Sequence, residues 1–191
     1  MISLFSRIRG WFYRITAPLF MKRVGRGTAI WSVRLARPLT NVSIGKDCMI
    51  GVNVFIQTGR QSEIEIGDNT SLNTSCHIVA GEKISIGSNV AIGEFVSIRD
   101  QEHNFTPSTG VREQGFTCAP IVIEDNVWIG RGVYIGPGTH IRRGTIVAAN
   151  SVVKGDFPEN VLLAGSPCQI KRSINYDGTL SELTTTKGNN L

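Results

Sequence analysis

The sequence predicts an all-β chain that winds as a parallel coil, and three observations predict it. From residue 42 onward aliphatic side chains recur every sixth residue, an uncharged, non-aromatic residue stands two places before each, and glycine follows many of them. A period of six is a multiple of the strand period of two but not of 3.6, so positions two apart share one face of a short strand and a helix is excluded. Strand, corner, strand, corner is the implied path. Three hexapeptides close a triangular turn of about 18 residues, and turns stacked about 4.8 Å apart hydrogen-bond strand to strand.

The elements follow in order. Residues 1–26 form a basic amphipathic segment: over residues 2–22, Ile2, Phe5, Ile8, Phe12, Ile15 and Leu19 recur at helical steps, with Arg7, Arg14 and Lys22 among the remaining positions. Residues 27–41 lead in. The repeat occupies 42–156, with its aliphatic beat at Ile44, Ile50, Ile56; Ile66, Leu72, Ile78; Ile86, Ile92, Ile98; then Ile123, Ile129, Ile135, Ile141, Val147 and Val153. Fifteen hexapeptides make about five turns. Glycine after the beat, as at Gly45, Gly67, Gly93 and Gly130, suits a corner that turns tightly or takes positive φ. Between Ile98 and Ile123 the interval is 25 residues instead of six, so a long loop, 99–120, separates the third turn from the fourth. Residues 157–174 break the beat and cap the coil. The polar tail 175–191 is expected to be disordered. The register places Cys48 against Thr70 and Cys76 against Val54, and turns Phe55, Trp128 and Tyr134 outward.

The chain has 191 residues with 41% apolar and 18% charged composition, which fits one domain. Its net charge of +5 is unevenly spread: residues 1–37 carry eight basic and no acidic residues, and residues 38–191 carry twelve basic and fifteen acidic. A nucleic-acid function would have to rest on the leader alone, so no nucleic-acid partner is expected. Cys48, Cys76, Cys118 and Cys168 form no CxxC pair and no zinc-ligand spacing, so reduced thiols in a cytoplasmic protein are expected. No uncharged stretch is long enough to span a bilayer.

The hexapeptide beat through residues 42–156, the segment Ile123-Glu124-Asp125-Asn126-Val127-Trp128-Ile129-Gly130, and the later Ala148-Ala149-Asn150-Ser151 and Ala164-Gly165-Ser166-Pro167 resemble the hexapeptide-repeat acyltransferases. The closer likeness is to their sugar O-acetyltransferase branch, which includes galactoside, maltose and lipopolysaccharide enzymes. The resemblance implies a left-handed parallel β-helix, a homotrimer with active sites between subunits, acetyl-CoA as co-substrate, and a catalytic histidine in the loop after the third turn. His103, five residues after Ile98, occupies that place.

A histidine beside two carboxylates can be oriented and made more basic. Asp100 and Glu102 are therefore expected to support His103 as general base for an acceptor hydroxyl. By resemblance the backbone N–H of Arg131 would hold the oxyanion. Gly130, Ala148 and Ala149 would line the pantetheine arm, and Arg142, Arg143, Lys154, Lys171 and Arg172 would contact phosphates. Trp128 either walls the acceptor site or fills the trimer interface, and Ser75 or Asn73 would hydrogen-bond the acceptor or the acyl group. A second histidine in the loop, which the γ-class carbonic anhydrases of the same fold carry, is missing, so no metal is expected.

The reading is a cytoplasmic O-acetyltransferase acting on a sugar hydroxyl in lipopolysaccharide, capsule or exopolysaccharide synthesis. The saccharide acceptor could be lipid-linked, with residues 2–22 resting on the inner membrane face; the alternative for that helix is to cover the open end of the coil. Acetylation of a small non-polymer acceptor such as an antibiotic or amino acid, or a catalytically silent scaffold subunit, are the competing functions.

Overall fold

The computed structural model describes residues 20–35, 39–107 and 110–182. They form a parallel β-helix with three faces. The first face stacks Met21–Val24, Leu39–Ile44, Glu63–Ile66, Lys83–Ile86, Ile121–Ile123, His140–Ile141 and Asp156–Phe157. The second stacks Ala29–Ile30, Met49–Ile50, Ser71–Leu72, Ala91–Ile92, Trp128–Ile129, Ile146–Val147 and Val161–Ala164. The third stacks Val33–Leu35, Val54–Thr58, His77–Ala80, Ser97–Arg99, Tyr134–Ile135 and Val152–Val153.

The interior is what the period predicts. Every beat position from Ile44 to Val153 is at most 3% exposed, and each before Val153 pairs with the beat residue of the next turn, as Ile44 does with Ile66; Ile84 and Ile121 pair likewise in the second inward row. Strands this short have little stability of their own, so an unbroken apolar column supplies it through burial. Cys48 lies beside Thr70 and Cys76 beside Val54, as the pairings Met49–Ser71 and Phe55–His77 require.

The turn count exceeds the expected five. Six full turns are followed by a seventh that has only the first two faces. The extra first turn is hidden because Lys22 stands where an interior residue belongs. A register irregularity turns Met21 inward instead, and Leu35 follows Ile30 by five residues rather than six. The extra last turn uses an aromatic, Phe157, which pairs with Ile141. Residues 21–24 are thus strand, not the end of an amphipathic helix; the rest of that helix, up to residue 19, lies outside the described residues. At the far end the expected cap continues the second face. The chain reverses after Ala164, pairs antiparallel as Gln169–Ile174, and adds Leu180–Ser181, so the tail begins ordered.

Glycine after the beat serves close approach rather than positive φ. A Cβ at Gly93 would lie 2.7 Å from the Arg131 nitrogen, and one at Gly130 would lie 2.6 Å from that of Ala149. The left-handed residue comes two places later. At the corner from second to third face it is Asn53, Ser75, Phe95, Gly132 and Asn150, all with φ between 56° and 65°.

Candidate active site

The long insertion is not structureless. Asp100 is fully buried at its base, and its carboxylate accepts the Gly81 N–H at 2.6 Å and the Glu82 N–H at 2.8 Å. The Ala119 N–H donates to the Asp100 carbonyl at 2.8 Å, so both ends of the insertion are fixed to the preceding turn. Gln101–His103 then pairs antiparallel with Phe116–Cys118. The Gln114 side chain closes the hairpin end, accepting from the Thr106 N–H at 2.6 Å.

His103 projects from this hairpin, exposed, with its ring centroid 4.1 Å from that of Phe116. Neither ring nitrogen has a hydrogen-bond partner among the described residues. The carboxylates expected to orient it are engaged elsewhere. Asp100 binds backbone, as above, and Glu102 meets Lys154 Nζ at 2.7 Å. Alternation along a strand sends Glu102 and His103 to opposite sides, so adjacency in sequence does not bring them together.

A groove of about 570 Å³ runs along the corner between second and third faces, and Asn73, Trp128, Gly130, Arg131, Ala148 and Ala149 all line it. Each was singled out by sequence. Ser75 occupies the left-handed corner position instead and does not line it. Lys171 and Arg172 lie beside the groove, on the strand that pairs with Val161–Ala164, where Arg172 stands opposite the lining residue Leu162. Arg142, Arg143 and Lys154 sit at the right height but at the other two corners. Arg142 holds Asp156 with both guanidinium nitrogens, the Arg143 N–H donates to Glu124, and Lys154 holds Glu102. None of the three lines the groove of its own chain.

The two corners differ in how the backbone is satisfied. Between first and second faces, the N–H two residues after the beat is capped in four turns: Lys46 by Asp68 at 2.7 Å, Asp68 by Ser88 at 3.1 Å, Ser88 by Asp125 at 2.7 Å and Arg143 by Glu124 at 3.1 Å. Between second and third faces the equivalent N–H groups of Thr74, Glu94, Arg131 and Ala149 have no acceptor among the described residues. Backbone donors are rarely left without partners unless solvent or a ligand takes them. The groove is therefore a row of available N–H groups, kept uncovered at Arg131 and Ala149 by Gly93 and Gly130. The Arg131 side chain is turned to Glu94, with Nε 2.9 Å from Oε1, which leaves its N–H as the group offered to a ligand. Glu94 and Gly93, which sequence reasoning passed over as site residues, also line it; their place directly after Ile92 was the available signal.

His140 and His77 do not join a site of their own. His140 Nε2 lies 2.8 Å from Glu124, and the His77 ring rests 5.4 Å from that of Phe55. No three His, Cys, Asp or Glu side chains converge as a metal site among the described residues.

Within one chain His103 and the groove are at opposite ends of the third face. The hairpin leaves that face after Arg99, while the groove precedes it, before Val96 and Val133.

Comparison with known proteins agrees with this architecture. Residues 120–155 match the bacterial transferase hexapeptide model (six repeats), and residues 41–73 match the hexapeptide repeat of succinyl-transferase. The chain is 31% identical to the "Putative lipopolysaccharide biosynthesis O-acetyl transferase WbbJ" of Escherichia coli, over 74% of this chain and 76% of that protein. It is 35% identical to the galactoside O-acetyltransferase of Escherichia coli, over 70% of this chain and 64% of that one. It is 44% identical to the "Putative acetyltransferase YJL218W" of Saccharomyces cerevisiae, of whose length it spans 61%. Among solved structures, a hexapeptide-repeat acetyltransferase of Vibrio cholerae complexed with acetyl-CoA aligns with a TM-score of 0.61 at 26% identity, covering 86% of this chain and 78% of that one. A Bacillus cereus N-acyltransferase shares the fold at 16% identity, with a TM-score of 0.74 over 86% of this chain and 90% of that one. On the repeat, the β-helix and these relatives, the chain belongs to the hexapeptide-repeat transferase family.

Proposed function

We propose that the protein is an acetyl-CoA-dependent O-acetyltransferase whose acceptor is a sugar hydroxyl. The row of N–H groups at Glu94, Arg131 and Ala149, which line the groove and have no acceptor among the described residues, carries this reading, because it suits the amides and thioester carbonyl of an acyl-pantetheine arm. The Vibrio cholerae relative with this fold was solved with acetyl-CoA, and relatives at 31–35% identity are named as sugar and lipopolysaccharide O-acetyltransferases.

The chemistry assigns one task to each group. A neutral nitrogen of His103 takes the acceptor hydroxyl proton as the oxygen bonds to the thioester carbonyl carbon. The Arg131 N–H donates to the oxygen that becomes negative. When the carbon–sulfur bond breaks, the departing thiolate takes the proton back from His103, so the base is restored without a covalent enzyme intermediate. Trp128, more than half exposed on the groove wall, offers an apolar face to the acceptor or the arm, and Asn73 a hydrogen bond. Lys171 and Arg172 are the cations placed to meet the phosphates.

Because one chain holds His103 and the groove at opposite ends of a face, the site is completed by a second copy, and a closed trimer supplies three such sites. The basic leader, residues 2–22, would hold the assembly at the inner face of the cytoplasmic membrane near a lipid-linked acceptor. No helix of the described residues is long and apolar enough to cross a membrane.

The test is CoA release from acetyl-CoA across a panel of sugar acceptors. The active acceptor should lose about 10²–10⁴-fold in rate with His103→Ala, the usual worth of a general base. Equal rates for wild type and His103→Ala on every active acceptor would contradict the assignment.

A further inference from the structure

Phe95 is out of place by every local rule. It occupies the left-handed corner position, φ 61°, where the other turns put Asn53, Ser75, Gly132 and Asn150. Asn and Gly tolerate that region, whereas a bulky residue there is a strained outlier. Strain of this kind persists where something repays it. Burial within the chain does not, because Phe95 is 56% exposed. Its place in the chain is at the edge of the groove: the preceding residue, Glu94, lines it, and the N–H of Gly132 on the next turn donates to the Glu94 carbonyl at 2.9 Å. Gly132 has no side chain, so the corner above Phe95 is bare.

The hairpin shows the complementary feature. Phe105, two residues after His103, is 68% exposed, and Phe116, which packs on the His103 ring, is 52% exposed. Phe116 thus lies against the proposed base and Phe105 follows it by two residues, and both stay more than half exposed among the described residues. Exposed aromatics clustered beside a functional group mark a contact surface.

We infer that Phe95 of one copy is the docking point for Phe105 of the next, and that this contact sets His103 over the open N–H row. The inference rests on the proposed inter-copy site. Phe95 is a positioning residue in this account, since it touches neither acetyl-CoA nor acceptor. Two aromatic rings meeting edge to face or offset would fix the hairpin tip, and a displacement of about 1 Å at a reacting group is enough to cost up to about a hundredfold in rate.

The experiment places the photoreactive residue p-benzoylphenylalanine at position 105 of the full chain, irradiates it, and maps the cross-linked peptides. The expected product joins two copies, with the second attached at residues 94–96. A cross-link within one chain, one to a distant face, or none would overturn the inference. Kinetics supply the second arm. Phe95→Asn should lower kcat about tenfold while CoA affinity by calorimetry stays within twofold, and Phe95→Leu should recover most of the loss. Combining Phe95→Asn with Phe105→Ala should be no worse than the poorer single variant, whereas multiplied losses would show that the two residues act separately. If Phe95→Asn instead raises only the KM of the acceptor, Phe95 belongs to acceptor binding and the docking role is wrong. The cross-link needs no catalysis, so a wild-type protein inactive on every acceptor would sink the proposed function and leave the docking contact to be judged by the cross-link alone.

Discussion

Asp100→Ala should unpin the hairpin that carries His103. Asp100 is fully buried, and its two oxygens take the N–H groups of Gly81 and Glu82 at 2.6 and 2.8 Å. A hydrogen bond to a charged group contributes about 1.5–3 kcal/mol. Gly81 and Glu82 are themselves exposed, so water recovers part of that after truncation. The net loss is about 3 kcal/mol, and for a chain of this size each kcal/mol moves the midpoint by about 2–4 °C. Melting followed by circular dichroism should therefore show a fall of about 6–12 °C. Asp100→Asn keeps one acceptor oxygen but sets an amide donor against the second N–H, so it should lose about 2 kcal/mol or more. Both variants should lower kcat by at least about tenfold through misplacement of His103, with CoA affinity unchanged because the groove lies at another corner. If Asp100→Asn removed activity with no change in melting temperature, the carboxylate would be acting on His103 electrostatically, and the pinning role would be refuted.

Other outcomes follow from the groove and the core. Arg131→Ala should change the transfer rate less than about threefold, because its exposed ion pair with Glu94 is worth under about 1 kcal/mol and the N–H survives. Gly93→Ala should reduce transfer by more than tenfold, since the added Cβ would press at 2.7 Å on the Arg131 nitrogen. Steady-state kinetics of the two variants side by side decide the point. Burial pushes the Cys76 thiol up to about 11 and raises that of Cys48. Burial raises the thiols of Cys118 and Cys168 as well, so access decides: native protein at pH 8 should give a thiol reagent only these two half-buried cysteines, and slowly. For Cys76 the raised value also means that stability is intact below about pH 9, where the unfolded thiol begins to ionise, and is lost toward pH 11. The loss is about 3 kcal/mol, and urea titrations of wild type and Cys76→Ala across this range measure it.

The column of interior residues was legible because a hexapeptide repeat is constrained by one rule, no charge and no aromatic inside. Where the rule is relaxed the signal vanishes: Lys22 at an interior phase and Phe157 as a beat residue hid the first and last turns. Groove residues Gly130, Ala148 and Ala149 were legible through the resemblance to the acyltransferases, and their small size fits a backbone that must be approached. Asp100 and Glu102 misled because nearness in sequence was taken for nearness in space. Backbone donors at Gly81 and Glu82, 19 and 18 residues away, claimed the first. Arg142 and Arg143 misled differently: they follow the beat residue Ile141 of the first face, so the phase that located the coil also placed them away from the groove.

In the proposed assembly the base and the N–H row come from different copies, which mixing two inactive variants tests. His103→Ala lacks the base, and Ala149→Trp fills the groove from an exposed position without entering the core. Each alone should be inactive. Refolded together in equal amounts, half the hairpins and half the grooves are intact, so about one quarter of the contacts between copies pair an intact His103 with an open groove. Acetyl transfer by the mixture should return to about a quarter of the wild-type rate. A mixture no more active than the two variants measured separately would show that each chain builds its site alone.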